Sequence, residues 1–264
     1  MTRIAHILDA VRTTTPLVHC MTNTVVPEVT ANVLLAVGAA PAMIDLPDEA
    51  EIFAGIASAL LINVGNGSSE QHDGMRRAAA AAQKAGRPWV LDPVAVGGLP
   101  VRTQLARDLL ANRPAAIRAN ASEILGLAGT SAGGRGVDST DEVDATIDTA
   151  HQLVTDTGAV VAISGPVDVI VSDGRVTRVT GGSPLMPLVI GTGCSLGATV
   201  AACVAAADDA AHDGVVAAHA LFGAAGIVAA REASHPGSFR TAWIDALHAL
   251  TPDEVERLVT IEEA

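Results

Sequence analysis

Two hydrophobic periods alternate along most of this 264-residue chain. Short runs rich in aliphatic and β-branched residues stand at Pro16–His19, Ala40–Ile44, Leu60–Val64, Trp89–Leu91, Ala115–Ile117 and Val160–Ser164. Between them lie Ala-rich stretches with helical spacing: Val29–Val37, Pro47–Ile56, Ser69–Ala85, Thr103–Ala111 and Asp141–Asp156. Strands that alternate with helices of this length predict βαβ crossovers and a mostly parallel sheet. The alternation breaks after Ser164. There Val167–Val171 and Val176–Val179 flank Ser172-Asp173-Gly174-Arg175, and an Asp-Gly between apolar runs predicts a hairpin, an antiparallel addition to the sheet. From Gly191 onward the pattern is helical only, with starts near Gly193, Asp213, Ser238 and Pro252. No repeat, long linker or like-charge block divides the chain, so residues 1–264 read as one α/β domain.

Composition narrows the class. Hydrophobic residues make up 49% of the chain, which excludes disorder. With no Tyr, three Phe and two Trp, the core must be built from Ala, Val, Leu and Ile, packed closely with the help of 25 Gly. The net charge of −13 leaves no basic surface to neutralise a phosphate backbone, so nucleic acid is not an expected partner. The mean hydropathy of +0.39 invites a membrane reading. Its best candidate, Val215–Ala230, holds His219, is mostly Ala and Gly, and falls short of the roughly 20 strongly apolar residues a span needs. It is expected to be a buried helix. Three cysteines at no metal-binding spacing, and an N-terminus interrupted by Arg3, His6 and Asp9, point to a reduced, cytoplasmic protein.

Open parallel sheets bind ligands beyond the carboxyl ends of their strands. Polar and glycine-rich clusters fall there five times: Cys20–Asn23, Asn63–Gly67, Asp92-Pro93, Arg118–Glu123 and Ser164–Asp168. His19 stands at the same rim. Gly191-Thr192-Gly193-Cys194-Ser195-Leu196-Gly197 then opens an Ala-rich helix. Small residues there let a ligand approach the backbone, and first-turn N–H groups with the helix dipole make an anion site. No Gly-Lys-Ser/Thr occurs, so this is not a Walker loop, and the glycine spacing does not match a dinucleotide fingerprint. Cys194 sits in the first turn, where the dipole is expected to lower its pKa and favour thiolate; a small buried cysteine is the other reading of that position.

These residues carry a family resemblance. Pro16-Leu17-Val18-His19, Thr22-Asn23, Thr30-Ala31-Asn32, Leu34–Ala39 and Pro41-Ala42-Met43 resemble the start of hydroxyethylthiazole kinases, members of the ribokinase-like superfamily. The likeness continues through Leu91-Asp92-Pro93-Val94, Ile117–Glu123, Gly136-Val137-Asp138, Ser164–Asp168, Gly191–Cys194 and Pro236–Phe239. The resemblance implies a ribokinase-like three-layer fold, a central, mostly parallel sheet flanked by helices, without a lid. It implies transfer of phosphate from ATP, with Mg²⁺, to the primary hydroxyl of 4-methyl-5-(2-hydroxyethyl)thiazole. It also implies a homotrimer with active sites between subunits.

Carried over position by position, the resemblance makes Cys194 the group that takes or guides the hydroxyl proton. Arg118, Ser164 and the Gly193 amide fall on ATP, and Met43, Gly191 and Asn23 on the thiazole. Asp92 and Glu123 fall on Mg²⁺, directly or through water, although Asn120-Ala121-Ser122-Glu123 also fits a helix cap with its acid at the third position. Ser164 stands where the family usually has Thr, and Ala95 and Ala119 stand where it usually has Gly. The segment Asn63–Ser68 departs from the family pattern, and Gly129–Gly136 reads as a loop. Two alternatives stay open: a kinase for another heterocyclic alcohol such as hydroxymethylpyrimidine, and a non-catalytic nucleotide or thiazole sensor. An ATP-dependent repair dehydratase on the same scaffold normally carries Asp where Cys194 stands.

Overall fold

The computed structural model describes residues 2–130 and 140–264, the side chains of 140–145 excepted. The predicted alternation forms a single nine-stranded sheet. Its strands are β1 (Leu17–Met21), β2 (Ala40–Ala42), β3 (Ala59–Asn63), β4 (Trp89–Asp92), β5 (Ala116–Asn120), β6 (Val160–Ser164), β7 (Val167–Ser172), β8 (Arg175–Thr180) and β9 (Thr260–Glu263). They lie in the order β2-β1-β3-β4-β5-β6-β7-β8-β9. Pairing is parallel from β2 to β6 and antiparallel from β6 to β9. The helices are α1 (Arg3–Thr14), α2 (Pro27–Val37), α3 (Pro47–Ala54), α4 (Ser69–Lys84), α5 (Pro100–Leu109), α6 (Ala121–Ala128), α7 (Thr140–Thr157), α8 (Thr192–Ala205), α9 (Ala211–Glu232), α10 (Pro236–Ala249) and α11 (Pro252–Leu258).

Both faces of the sheet are covered, which is why its strands read as nearly unbroken apolar runs. Along β3, Leu60 and Ile62 join one core with Met75 and Ala78 of α4, while Leu61 joins the other with Ala198 and Ala201 of α8. Side chains two apart share a face, so this split follows from the pleat. The Ala excess concentrates where α8 and α9 pack: Ala198, Ala201, Ala202, Ala217, Ala218, Ala224 and Ala225 are all fully buried. α9 is long and apolar enough, by length and composition, to cross a membrane, yet 78% of its apolar window lies inside the protein. The expectation of a buried helix holds.

Two elements depart from the sequence reading. Residues 3–14 form α1, although Ile4, Ile7, Leu8 and Val11 already carry helical spacing. The chain also does not stay helical after Gly191. Its last residues form β9, paired antiparallel with β8, so the hairpin is not the sheet edge. A four-residue, mostly exposed strand containing Glu262 and Glu263 has no apolar alternation to announce it. Its position comes from partners far away in sequence: Arg175, which pairs with Glu263, and Thr177 Oγ1, which donates to the same carboxylate at 3.0 Å. Most of Gly129–Gly136 and all of Gly136-Val137-Asp138 lie outside the described residues.

Candidate active site

Parallel pairing from β2 to β6 brings the carboxyl ends of those strands to one rim, and α8 points its first turn at them. Gly191 is the N-cap of α8 with φ +90°, in the left-handed region. A Cβ there would lie 2.4 Å from Val29 Cγ1, so backbone conformation and space both demand glycine. The cap provides no side-chain acceptor for the first-turn amides. Thr192 Oγ1 instead donates to the Met186 and Val189 carbonyls, and Ser195 Oγ donates to the Gly191 carbonyl at 2.7 Å. The positive end of the helix is therefore left to a ligand.

Arg118 reaches this helix start from β5. A Cβ on Gly193 would sit 3.1 Å from Arg118 Nη1, so the guanidinium lies against the Gly193 backbone. Arg118 Nε donates to Ser164 Oγ at 3.1 Å, which fixes the fork. Ser164 comes into reach because β5 and β6 pair in register through Asn120 and Ser164. Together with Asp168, Met186, His219 and Phe222, these residues line a cavity of about 750 Å³. Among the described residues lining it, Arg118 is the one side chain with a permanent positive charge.

Asp92 ends β4 and is fully buried, directly opposite Asn63 of β3. Asn63 Nδ2 donates to Asp92 Oδ2 at 2.8 Å. Oδ1 has no hydrogen-bond partner among the described residues, and Arg118 Nη1 stands 3.7 Å away. Burial pushes the Asp92 carboxyl up to about 7, helped by the Glu123 charge. Arg118 and the Asn63 bond pull the other way without prevailing.

Glu123 is committed to backbone on both oxygens. Oε1 accepts the Ala95 N–H at 2.9 Å, and Oε2 accepts the Asn120 N–H at 3.0 Å, completing the capping box of α6. The capping reading of this residue holds, and each oxygen retains a lone pair. Among the described residues no three His, Cys, Asp or Glu converge. A divalent cation here would have two carboxylates at most and would draw its other ligands from phosphate and water. That division suits Mg²⁺, and the orphaned Oδ1 of Asp92 fits it.

Ala95, whose amide holds Glu123, has φ +57°, the left-handed region in which a Cβ costs roughly 1–2 kcal/mol. The Ala found where glycine is usual therefore sits in a glycine conformation. Ala95→Gly is expected to stabilise the fold by about 1 kcal/mol net of the added chain entropy. Thermal melts of the two proteins check this.

Cys194 follows Gly193 and is half-buried. Asn23 Nδ2 donates to its Sγ at 3.4 Å and to Asn63 Oδ1 at 3.2 Å. The expected thiolate is not what the site produces. Burial and the neighbouring Asp92 charge push the thiol up to about 11, outweighing Asn23, Asn63 and Arg118. Desolvation of the charged form overrides the favourable position at the helix start. Asn23 is flanked by Thr22 and Thr24, which line a second hollow of about 200 Å³ with Met43, Pro27, Asp45 and Gln71. Gly193, next to Cys194 in the chain, lines the large cavity, and Asn23, which bonds the Cys194 thiol, lies between two residues that line the small one.

The structure brings Asn23, Asp92, Arg118, Glu123, Ser164, Gly191, Gly193 and Cys194 to one rim, with Met43 on the adjoining hollow. His19 is not on that rim. It is fully buried, its Nε2 2.7 Å from the Ile44 carbonyl and its ring edge-on to Phe53. Asn63, which links Asp92 to Asn23, stands in the rim cluster Asn63–Gly67, but the sequence assigns it no role. A lone Asn ending the apolar run Ala-Leu-Leu-Ile was the available signal. Nothing local marked the pairing of Asp168 with His219, which are 51 positions apart.

The family model described as "Hydroxyethylthiazole kinase family" matches residues 8–253. A relative from Corynebacterium glutamicum (strain R), named hydroxyethylthiazole kinase, is 56% identical over 260 residues, 97% of each chain. The solved structure of a hydroxyethylthiazole kinase protein from Pyrococcus horikoshii OT3 is similar over the whole of both chains, with a TM-score of 0.91 and 31% identity. A ribokinase-like superfamily protein from Enterococcus faecalis V583 shares the fold at a TM-score of 0.62 and 13% identity, over 88% of this chain and 86% of its own.

Proposed function

The chain belongs to the hydroxyethylthiazole kinase family, and from that membership we propose that it transfers the γ-phosphoryl group of ATP to the primary hydroxyl of 4-methyl-5-(2-hydroxyethyl)thiazole, with Mg²⁺, in thiamine salvage. The observation that carries the reading is the open start of α8, whose Gly193 lines the larger of two cavities while Cys194 bonds Asn23 beside the smaller one. One is large enough for a nucleotide and the other suits a single heteroaromatic ring.

Phosphoryl transfer depends on positioning and on neutralising charge more than on covalent chemistry. The amides of Thr192–Cys194 and the Arg118 fork receive the transferring phosphoryl oxygens, and Ser164 holds Arg118 in place. Asp92 and Glu123 would hold Mg²⁺ directly or through water, and the ion would supply charge neutralisation on the phosphates. A chain of net charge −13 thus accepts a polyanion by local means. Met43 presents soft sulfur to the thiazole, Gly191 brings backbone close to it, and Asn23 orients the approach to Cys194.

With its pKa near 11, Cys194 enters as a thiol. It positions the substrate hydroxyl by hydrogen bonding and guides its proton, which leaves late to an oxygen of the transferred phosphoryl group, a timing that a loose transition state tolerates. A carboxylate introduced by Cys194→Asp would lie beside Asp92, and the repulsion would raise its pKa towards neutrality, where general bases work best. The variant is expected to keep or exceed wild-type turnover. A folded, ATP-binding Cys194→Asp protein without turnover would remove the proton-handling role.

The decisive assay follows ADP formation with the thiazole alcohol and, separately, with hydroxymethylpyrimidine. Turnover of the thiazole supports the reading, turnover of the pyrimidine alone replaces the substrate, and tight binding without turnover makes the protein a sensor. A homotrimer with shared sites and a cytoplasmic location complete the proposal. Val25, Leu188 and Ile190, each about 60% exposed, form apolar surface beside the site that neighbouring subunits would cover. Sedimentation should give a trimer; a stable, active monomer would contradict it.

A further inference from the structure

His219 lies on α9 with its side chain fully buried, yet it lines the 750 Å³ cavity. Its Nδ1–H donates to Asp168 Oδ2 at 2.7 Å, and its Nε2 has no hydrogen-bond partner among the described residues. Asp168 is itself fixed, because its Oδ1 accepts the Gly165 N–H at 2.9 Å. A carboxylate only accepts, so the neutral imidazole carries its proton on Nδ1 and has a bare lone pair on Nε2. A buried acceptor of this kind is costly to leave unmet.

The cavity has two chemically distinct ends. Arg118, Ser164 and Gly193 mark the phosphate end. Phe222 and Gly223, three and four residues beyond His219 on the same face of α9, line the apolar end with Val179 and Met186. His219 stands between the two ends, bonded to Asp168, which feels the Arg118 charge, and one helical turn before Gly223; a nucleoside joined to phosphates at Arg118 would reach it. Its lone pair would repel phosphate oxygens.

We infer that His219 is a specificity-determining residue for the nucleotide: Nε2 accepts a hydrogen bond from a donor on the nucleoside, either the exocyclic amine of adenine or a ribose hydroxyl, and Asp168 is the positioning residue that sets the tautomer. The inference rests on the reading of the large cavity as the nucleotide site. It carries a consequence for Asp168→Asn. The amide oxygen can still accept from Gly165, which turns the amide NH₂ towards His219 Nδ1. Nδ1 must then accept, and the proton moves to Nε2. The cavity would present a donor where it presented an acceptor.

The test compares Kd and KM for ATP, ITP, 2′-deoxy-ATP and 3′-deoxy-ATP in the wild type, His219→Leu, His219→Gln and Asp168→Asn. The wild type is expected to bind one analogue about three- to tenfold more weakly than ATP. His219→Leu should weaken ATP by the same factor and erase that discrimination, with the KM for the thiazole alcohol unchanged. His219→Gln, whose amide oxygen can accept, should restore most of it, and Asp168→Asn should shrink or invert it. Discrimination confined to ITP identifies the amine as the donor; discrimination confined to a deoxy analogue identifies the hydroxyl. Equal wild-type affinity for all four nucleotides would overturn the inference. So would unchanged discrimination in His219→Leu, or a uniform loss across all four in both His219 variants. Binding is read independently of turnover. A wild type that binds nucleotide without phosphorylating the thiazole sinks the proposed activity alone, and a competent wild type with unaffected His219 variants sinks the His219 assignment alone.

Discussion

Asp92→Asn is expected to lower turnover by about 10²–10³-fold, the loss typical of removing one preorganised electrostatic stabiliser, while the protein stays folded. The fold should tolerate the change because burial already pushes this carboxyl up to about 7. An amide oxygen at the same place can still accept from Asn63 Nδ2, which now donates to Oδ2 at 2.8 Å. What disappears is the charge on the orphaned Oδ1. Turnover within a few-fold of wild type would remove Asp92 from the reaction.

The sign of the pH effect follows from the raised pKa. Asp92 favours the folded state most when protonated, below the unfolded value near 3.8, and that contribution is lost as pH rises through about 7. The melting temperature of Asp92→Asn relative to wild type should therefore rise with pH. With Asp92 holding Mg²⁺ as proposed, protons would compete with the ion for the carboxylate, so the Mg²⁺ concentration needed for half-maximal rate should climb as pH falls below about 7.

Arg118→Met is expected to cut kcat/KM for ATP by about 10²–10³-fold, again the range for one preorganised charge, with both constants affected. The guanidinium is anchored to Ser164, lies against Gly193 and stands 3.7 Å from Asp92. It therefore links the anion site to the buried carboxylate. Arg118→Lys should recover only part of the loss, because an ammonium restores charge but not the two-pronged geometry. Steady-state kinetics with ATP varied checks both variants; a KM and kcat within twofold of wild type in Arg118→Met would exclude the phosphate role.

Much of this site was legible because its residues sit where local pattern marks a strand end or a helix start. Asp92 closes an apolar run, Arg118 and Ser164 close two more, and Gly191–Cys194 opens an Ala-rich helix. Glu123 showed a capping pattern, and the structure gives it that role along with a hold on the Ala95 turn. Asn63 was harder to read, since its meaning depends on facing Asp92 across two strands. The Asp168–His219 pair needed the antiparallel β7 to lie under α9, which no local spacing states.

Hydrophobic period and turn chemistry determined the alternating layers, the parallel run of strands, the hairpin and the rim on which ligands would gather. These depend on interactions between near neighbours, and near neighbours are what a sequence displays. The tertiary structure alone decided that Asp92 is buried with one oxygen unmet, that Cys194 is held as a thiol against the expectation of its helix position, that β9 closes the sheet, and that His219 Nε2 is left without a partner beside the large cavity. Each of those outcomes is set by desolvation or by a charge brought in from a distant segment, and neither has a value until the chain has folded around the group.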